Sequence, residues 1–157
     1  MADGWDWATG EGLLGVDDPS DWDAAYGRGA DHLGTAAIGL AFNCPLEEAS
    51  PRIVRATRLP DVAQRGFAFT AVGTAARING ALTPELYAVL RAAGPGRGSI
   101  AENAVDDTLT FVPFRELPLW LKWWKVVSNV LDKLEAWRLE CACAVSDAWK
   151  ALRGRHS

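Results

Sequence analysis

Carboxylates, guanidiniums, thiols and imidazoles at close spacing are what a chain needs for chemistry, and this one groups few of them. The tightest acidic set is Glu102, Asp106 and Asp107. On a helix, Glu102 and Asp106 share a face at a spacing of four, with Asp107 beside them. Such carboxylates can act as an acid and base pair, hold a hard cation, or face a basic partner. The plainer reading is a solvated face with negative charge near a helix start. A basic set precedes it: Arg52, Arg55 and Arg58 recur every third residue, and Arg65 follows a break. A basic stripe on a helical surface could lie along a phosphate backbone. Against this, Glu48 stands four before Arg52, where it can neutralise it, and seven acids balance seven bases across residues 32–114.

Covalent and metal chemistry find no such grouping. The histidines are His32 and His156, and no Ser/His/Asp or Cys/His set assembles around either. Cys141 and Cys143 lie two apart in a helical stretch, so their thiols diverge by about 200°, poor geometry for chelation. Residues Gly94 to Gly98 are glycine-rich, yet they lack the Lys-Ser/Thr of a phosphate loop and follow a helix rather than a strand. The expectation is a protein that works without catalysis, metal or cofactor. Cys44 makes the thiol count three, a poor disulfide framework, which fits reduced thiols and a cytoplasmic location.

The elements that must position these groups are helical. The chain has 157 residues, 49% of them hydrophobic and 23% charged, ordinary values for one globular domain. Residues 1–30 form an acidic leader with Trp5, Trp7 and Trp22, and Ser20 or Asp21 can cap a short helix through Tyr26. A helix over 31–42 follows, with Leu33, Ala37, Ile38 and Ala41 on one face. Cys44-Pro45 ends it, and Pro45 opens the next, whose buried side is Leu46, Ala49, Ile53 and Ala56. Asp61 with Gln64 reads as a capping box for a helix over 62–78, with a stripe of Phe67, Ala68, Ala71, Val72 and Ala75. Asn79-Gly80 closes it. Thr83-Pro84 starts a helix with Leu86, Val89, Leu90 and Ala93 on one face. Ser99 with Glu102 reads as a second capping box, for a helix to about Leu109.

Small residues recur through these helices. Phe67-Ala68, Ala71-Val72 and Gly73 match Ile100-Ala101, Ala104-Val105 and Asp106 at an offset of 33, and Leu33-Gly34, Ala37-Ile38 and Gly39 at an offset of 34. Repetition at this period suggests stacked helix pairs, and small side chains let neighbouring helices approach. The run Pro60-Asp61-Val62-Ala63-Gln64-Arg65-Gly66-Phe67-Ala68, with Ala71-Val72-Gly73 after it, resembles the second helix of a HEAT repeat. Ile100 to Asp107 resembles the last helix of small bacterial HEAT-like proteins. The resemblance covers about residues 31–112. It implies a right-handed stack of antiparallel helix pairs that offers a surface to partners, in some such proteins as immunity proteins or adaptors.

Beyond Pro113 the character changes. Trp120, Trp124, Val127, Leu131, Leu134, Cys141, Val145, Ala148 and Leu152 follow alternating steps of four and three, broken only by Arg138. A helix from Pro118 to Arg153 would span ~50 Å at 1.5 Å per residue, so it projects, bends or pairs with another chain. Trp120, Trp123 and Trp124 with Lys122 and Lys125 also suit a membrane surface. Residues 1–31 hold eight acids against Arg28, whereas 115–157 hold eight bases against five acids. The two ends therefore have opposite electrostatic preferences.

The fold class expected is all-α: one domain with the leader at 1–30, a short HEAT-like α-solenoid at 31–112, and a long amphipathic helix within 113–157. The function expected is protein binding, immunity-type neutralisation of a toxin being one concrete version. Glu102, Asp106 and Asp107 would meet a basic partner in that version. The alternatives are nucleic acid at Arg52 and Arg55, a membrane surface at the Trp/Lys segment, and a homodimer through the final helix.

Overall fold

Proline, glycine and capping residues divide the chain into seven α-helices among the described residues, with no strand among them. The structure is a computed structural model that describes residues 5–153, and all side chains among these except 147, 148 and 150–153. Asp3 and His156 lie outside the described residues, as do the side chains of Ala148 and Leu152. The helices are α1 (Pro19–Gly27), α2 (Leu33–Asn43), α3 (Leu46–Ala56), α4 (Val62–Asn79), α5 (Pro84–Ala93), α6 (Glu102–Phe111) and α7 (Leu119–Arg153), with 3-10 turns at Leu13–Gly15 and Phe114–Glu116. The all-α class is as the sequence led one to expect. Two compact units emerge, residues 1–118 and 119–157.

Within the first unit the odd and even helices have different neighbours. The most extensive packing is α4 against α2, followed by α4 against α6. Helix α3 packs on α1, α2, α4 and α5. The three helices that share the small-residue pattern are thus stacked in sequence order. Their matching positions are buried in all three: Ala37, Ala71 and Ala104, and likewise Gly34, Ala68 and Ala101. The close approach is literal. A methyl group built at Gly34 would collide with the backbone carbonyl of Gln64, and one at Gly39 with that of Leu13. At Gly73 it would come within 2.6 Å of the Asp107 carboxylate and 3.3 Å of the Ala104 Cα. Small residues here are a requirement of backbone spacing.

Helix α4 is buried differently from its expected stripe. Phe67 is exposed, whereas Phe69 is buried, and residues 71–76 are buried without a break. The reason is position: α2 covers one side, α6 another and α3 a third. A helix covered on several sides has no single stripe. On α2, α3 and α5 the expected faces are buried at Leu33, Ala37, Ala41, Ala49, Ile53, Ala56, Leu86 and Leu90, with Ile38, Leu46, Val89 and Ala93 half-buried.

The helix caps show how the elements are tied together. Asp18, rather than Ser20 or Asp21, caps α1, accepting from the Ser20 N–H at 2.8 Å, because Pro19 occupies the first helical position. Asp61 caps α4 through the Gln64 N–H at 2.8 Å. The Gln64 side chain does not reach back to complete that capping box. Its Oε1 instead accepts from the backbone N–H groups of Gly34 and Thr35, at 2.9 and 3.3 Å, at the start of α2. His32, which precedes α2, has φ 58 and makes no side-chain cap. The left-handed conformation takes His32 out of the extended geometry from which a cap residue works, so Gln64, 30 positions beyond Gly34, supplies the acceptor. Ser99 and Glu102 also act with a shift of register. Ser99 Oγ accepts from the Ala101 N–H at 3.2 Å, and Glu102 Oε2 accepts from the Gly98 N–H at 2.7 Å.

The leader is fastened to this array. Leu13 and Val16 are fully buried and Leu14 is exposed. Trp22 is fully buried, and its indole N–H donates to the Leu33 carbonyl at 3.0 Å. A buried indole needs such an acceptor. Among the described residues, no buried side-chain polar atom lacks a hydrogen-bond partner.

The second unit contributes α7, one unbroken helix of 35 residues. No described helix is long and apolar enough to cross a membrane.

Candidate interaction surfaces

Four groupings could engage something else, and the structure treats them differently. The first is the arginine stripe. Arg52 and Arg55 both grip Asp23 of α1: Arg52 Nε donates to its two carboxylate oxygens at 3.3 and 3.2 Å, and the Nη2 groups of both arginines donate as well. Arg52 also donates to the Glu48 backbone carbonyl at 3.0 Å, so the Glu48 carboxylate is not its partner in this contact. The Arg55 guanidinium lies over the rings of Trp22 and Tyr26, 5.1 and 5.0 Å from their centroids, and those rings are themselves stacked. The hydrogen bonds from Arg52 hold the Asp23 carboxyl below the usual carboxylate range, although partial burial pulls the other way. The stripe therefore closes α1 onto α3. Arg65 donates to the Leu59 and Pro60 carbonyls at 2.9 and 3.1 Å, closing the α3–α4 turn.

The acidic set is the second. Glu102 is engaged at Gly98, and Asp107 forms an ion pair with Arg77 of α4 at 3.0 Å. Arg77 also covers the Phe111 ring at 5.3 Å. Asp106 is exposed. Partial burial of its carboxyl, and then the neighbouring charges of Glu102 and Asp107, push its pKa upward. Two of the three carboxylates thus have structural partners on hand. Among the described residues, no group of three or more His, Cys, Asp or Glu is placed to hold a metal.

The third grouping was not visible in the sequence. An open cleft of about 630 Å³ lies among α3, α4 and α5, lined by Val54, Arg58, Arg65, Phe69, Glu85 and Val89 among others. Its size suits a small ligand. Its lining holds the guanidiniums of Arg58 and Arg65, the Glu85 carboxylate and the Thr57 hydroxyl, which donates to the Val54 carbonyl at 2.7 Å. The signal that could have found it is Phe69, an aromatic off the expected stripe.

The fourth is the apolar side of α7. Trp123, Val127, Val130, Leu131, Leu134, Trp137 and Val145 are all exposed, between 42% and 69%. At 100° per residue they fall within about 120° of arc. Arg138 is the charged residue inside that arc. Lys125, Asp132, Lys133, Glu135 and Glu140 occupy the rest of the circumference. Cys141 and Cys143 are exposed on different sides of this helix. The alternating steps of the sequence are present as one continuous helical face, and it is uncovered along most of its length.

Comparisons with protein-family models, with curated proteins and with solved structures gave no match.

Proposed function

We propose that this chain is a non-catalytic protein-binding module, a HEAT-like helical array that carries a docking helix, α7. The observation behind the reading is the apolar arc of α7. More than half of the exposed large apolar side chains among the described residues lie on that one helix. A contiguous apolar surface rimmed by polar residues is the mark of an interaction site. The stacking of α2, α4 and α6 supports the array, and the close approaches at Gly34 and Gly73 explain why it needs small residues.

Charge supports a polypeptide over the two alternatives. The polar side of α7 mixes Lys122, Lys125 and Lys133 with Asp132, Glu135 and Glu140. Charges of both signs share that side, unlike the Lys/Arg-rich polar face that draws an amphipathic helix to anionic lipid. Arg52 and Arg55 already share the Asp23 carboxylate, which weakens their call on phosphates.

The test is a photoreactive residue placed at Leu134 of the full chain in its host. Illumination is expected to give a covalent polypeptide adduct of defined mass. A chain that stays at its own 16.9 kDa, at Leu134 and equally at Val127, overturns the reading.

A further inference from the structure

The apolar face of α7 is asymmetric about its own seam, and that asymmetry selects a partner. With Trp124, Leu131, Arg138 and Val145 in one row of the seam and Val127, Leu134 and Cys141 in the other, the two flanks differ. One flank carries Trp123, Val130, Trp137 and Ala144, all apolar. The other carries Ser128, Glu135 and Ala142, with Glu135 its charged member. When two such helices pair in parallel, each flank meets the opposite flank of its neighbour. Val130 would then lie against Glu135, and each Arg138 would face its own copy across the seam. When they pair antiparallel, like flanks meet. Apolar then covers apolar on one flank, and on the other Ser128 faces Ala142 while the two Glu135 carboxylates meet near the axis, between the two Arg138 guanidiniums.

We infer that α7 docks on α7 of a second copy of this chain, antiparallel, about a two-fold axis that crosses the seam at the level of Ala136. This inference rests on the protein-binding reading above and names its partner. In the register that interleaves the two rows, Val127 lies opposite the partner's Val145, Leu131 opposite the partner's Cys141, and Leu134 opposite the partner's Arg138. Trp137 meets the partner's Trp137 near the axis. Each Arg138 reaches the partner's Glu135, which neighbours the partner's Leu134. The one charge within the apolar arc thereby gains a carboxylate partner twice over, as an isologous interface requires. A charged residue in such a seam sets register and orientation at some cost in affinity.

The available area is sufficient. Trp123 and Trp137 alone offer ~300–500 Å² per chain, against ~800 Å² per partner for a standard interface. Val127, Val130, Leu131, Leu134 and Val145, all exposed, supply the remainder.

Sedimentation of the full chain at micromolar concentration is expected to give twice the 16.9 kDa chain mass. Orientation is read by oxidation in a Cys143→Ser background. In the antiparallel register the two Cys141 thiols lie ~15 Å apart along the axis, ten residues at 1.5 Å each, too far for a disulfide. Leu131→Cys should therefore create a cross-linked dimer that the parent does not form, and adding Cys141→Ser should abolish it. Arg138→Glu should weaken dimerisation tenfold or more, and Glu135→Arg in the same chain should largely restore it.

A parent that cross-links through Cys141, with no gain from Leu131→Cys, overturns the antiparallel register. A chain that sediments as a monomer overturns the inference. If that monomer still gives a photo-adduct of another mass at Leu134, the inference falls while the protein-binding reading stands. If it gives no polypeptide adduct, both fall.

Discussion

The helical array and α7 spend apolar residues in opposite ways. In the array, contact is made by alanine and glycine, and helices approach until a single added methyl would strike a neighbouring backbone. Trp22, Leu40, Ile53 and Leu86 are sealed inside, and the large apolar side chains left exposed, such as Phe42 and Phe67, are scattered over several elements. In α7 Leu121 is buried, but from Val126 onward the large apolar side chains of the described residues stand outward and the helix is held by its own hydrogen-bond ladder. Small residues suit surfaces whose partners are fixed by the chain itself, because close approach demands a defined geometry. Large exposed residues suit a surface completed by another molecule, where area supplies the driving force.

Substitutions can break or sharpen this contrast. The largest effect is expected at Trp22, where replacement by alanine removes a fully buried ring and its bond to the Leu33 carbonyl. Chemical denaturation should show a loss of ~3–5 kcal/mol. Next comes Gly34→Val, which drives a branched side chain into the Gln64 backbone. Overpacking of this kind costs ~1–3 kcal/mol or more, and thermal unfolding should register it. A Gly34→Val chain as stable as the parent would mean that α2 and α4 do not touch as described.

A smaller effect separates two aspartates by the sign of their pH dependence. The Asp23 carboxyl is held low by Arg52, so its ionised form is bound more favourably in the folded chain. Its contribution is present above the ordinary aspartate pKa of about 3.9 and is lost as pH falls through the lower folded value. The Asp106 carboxyl is held high by partial burial and by Glu102 and Asp107. The folded chain takes up that proton first, so stability rises as pH falls from the raised folded value toward the ordinary one. Melting curves across acidic pH should show Asp23→Asn flattening the acid loss and Asp106→Asn removing the gain above it. The smallest effect is expected at Leu139→Ser. Leu139 is exposed and lies off the apolar arc of α7, so stability should stay within ~0.5 kcal/mol of the parent.

Much of the array was legible because its punctuation is chemical. Gly80 ends α4 in the left-handed conformation, and Thr83 caps α5 through the Leu86 N–H at 3.4 Å. What escaped the sequence was the set of long-range choices. Asp61 and Gln64 have the spacing of a local capping box, but only the fold reveals that Gln64 turns to another helix. Phe67 and Phe69 are both plausible core residues for α4, and neighbours on several sides decide between them. Arg52 has Glu48 at an ideal local spacing, yet the Asp23 carboxylate wins because α1 brings it alongside α3. Local spacing predicts elements well and partners poorly, since a side chain's best partner is often supplied by another element.

The reach of Gln64 to the start of α2 also has a consequence during synthesis. The N–H groups of Gly34 and Thr35 wait for an acceptor encoded 30 residues later. At ~5–20 residues per second, the ribosome needs seconds to deliver it. During that interval α2 carries an unfinished end, and the arrival of Gln64 both caps α2 and docks the beginning of α4 on it. A single glutamine thus makes the capping of α2 depend on the docking of α4, so the two events are coupled in the nascent chain.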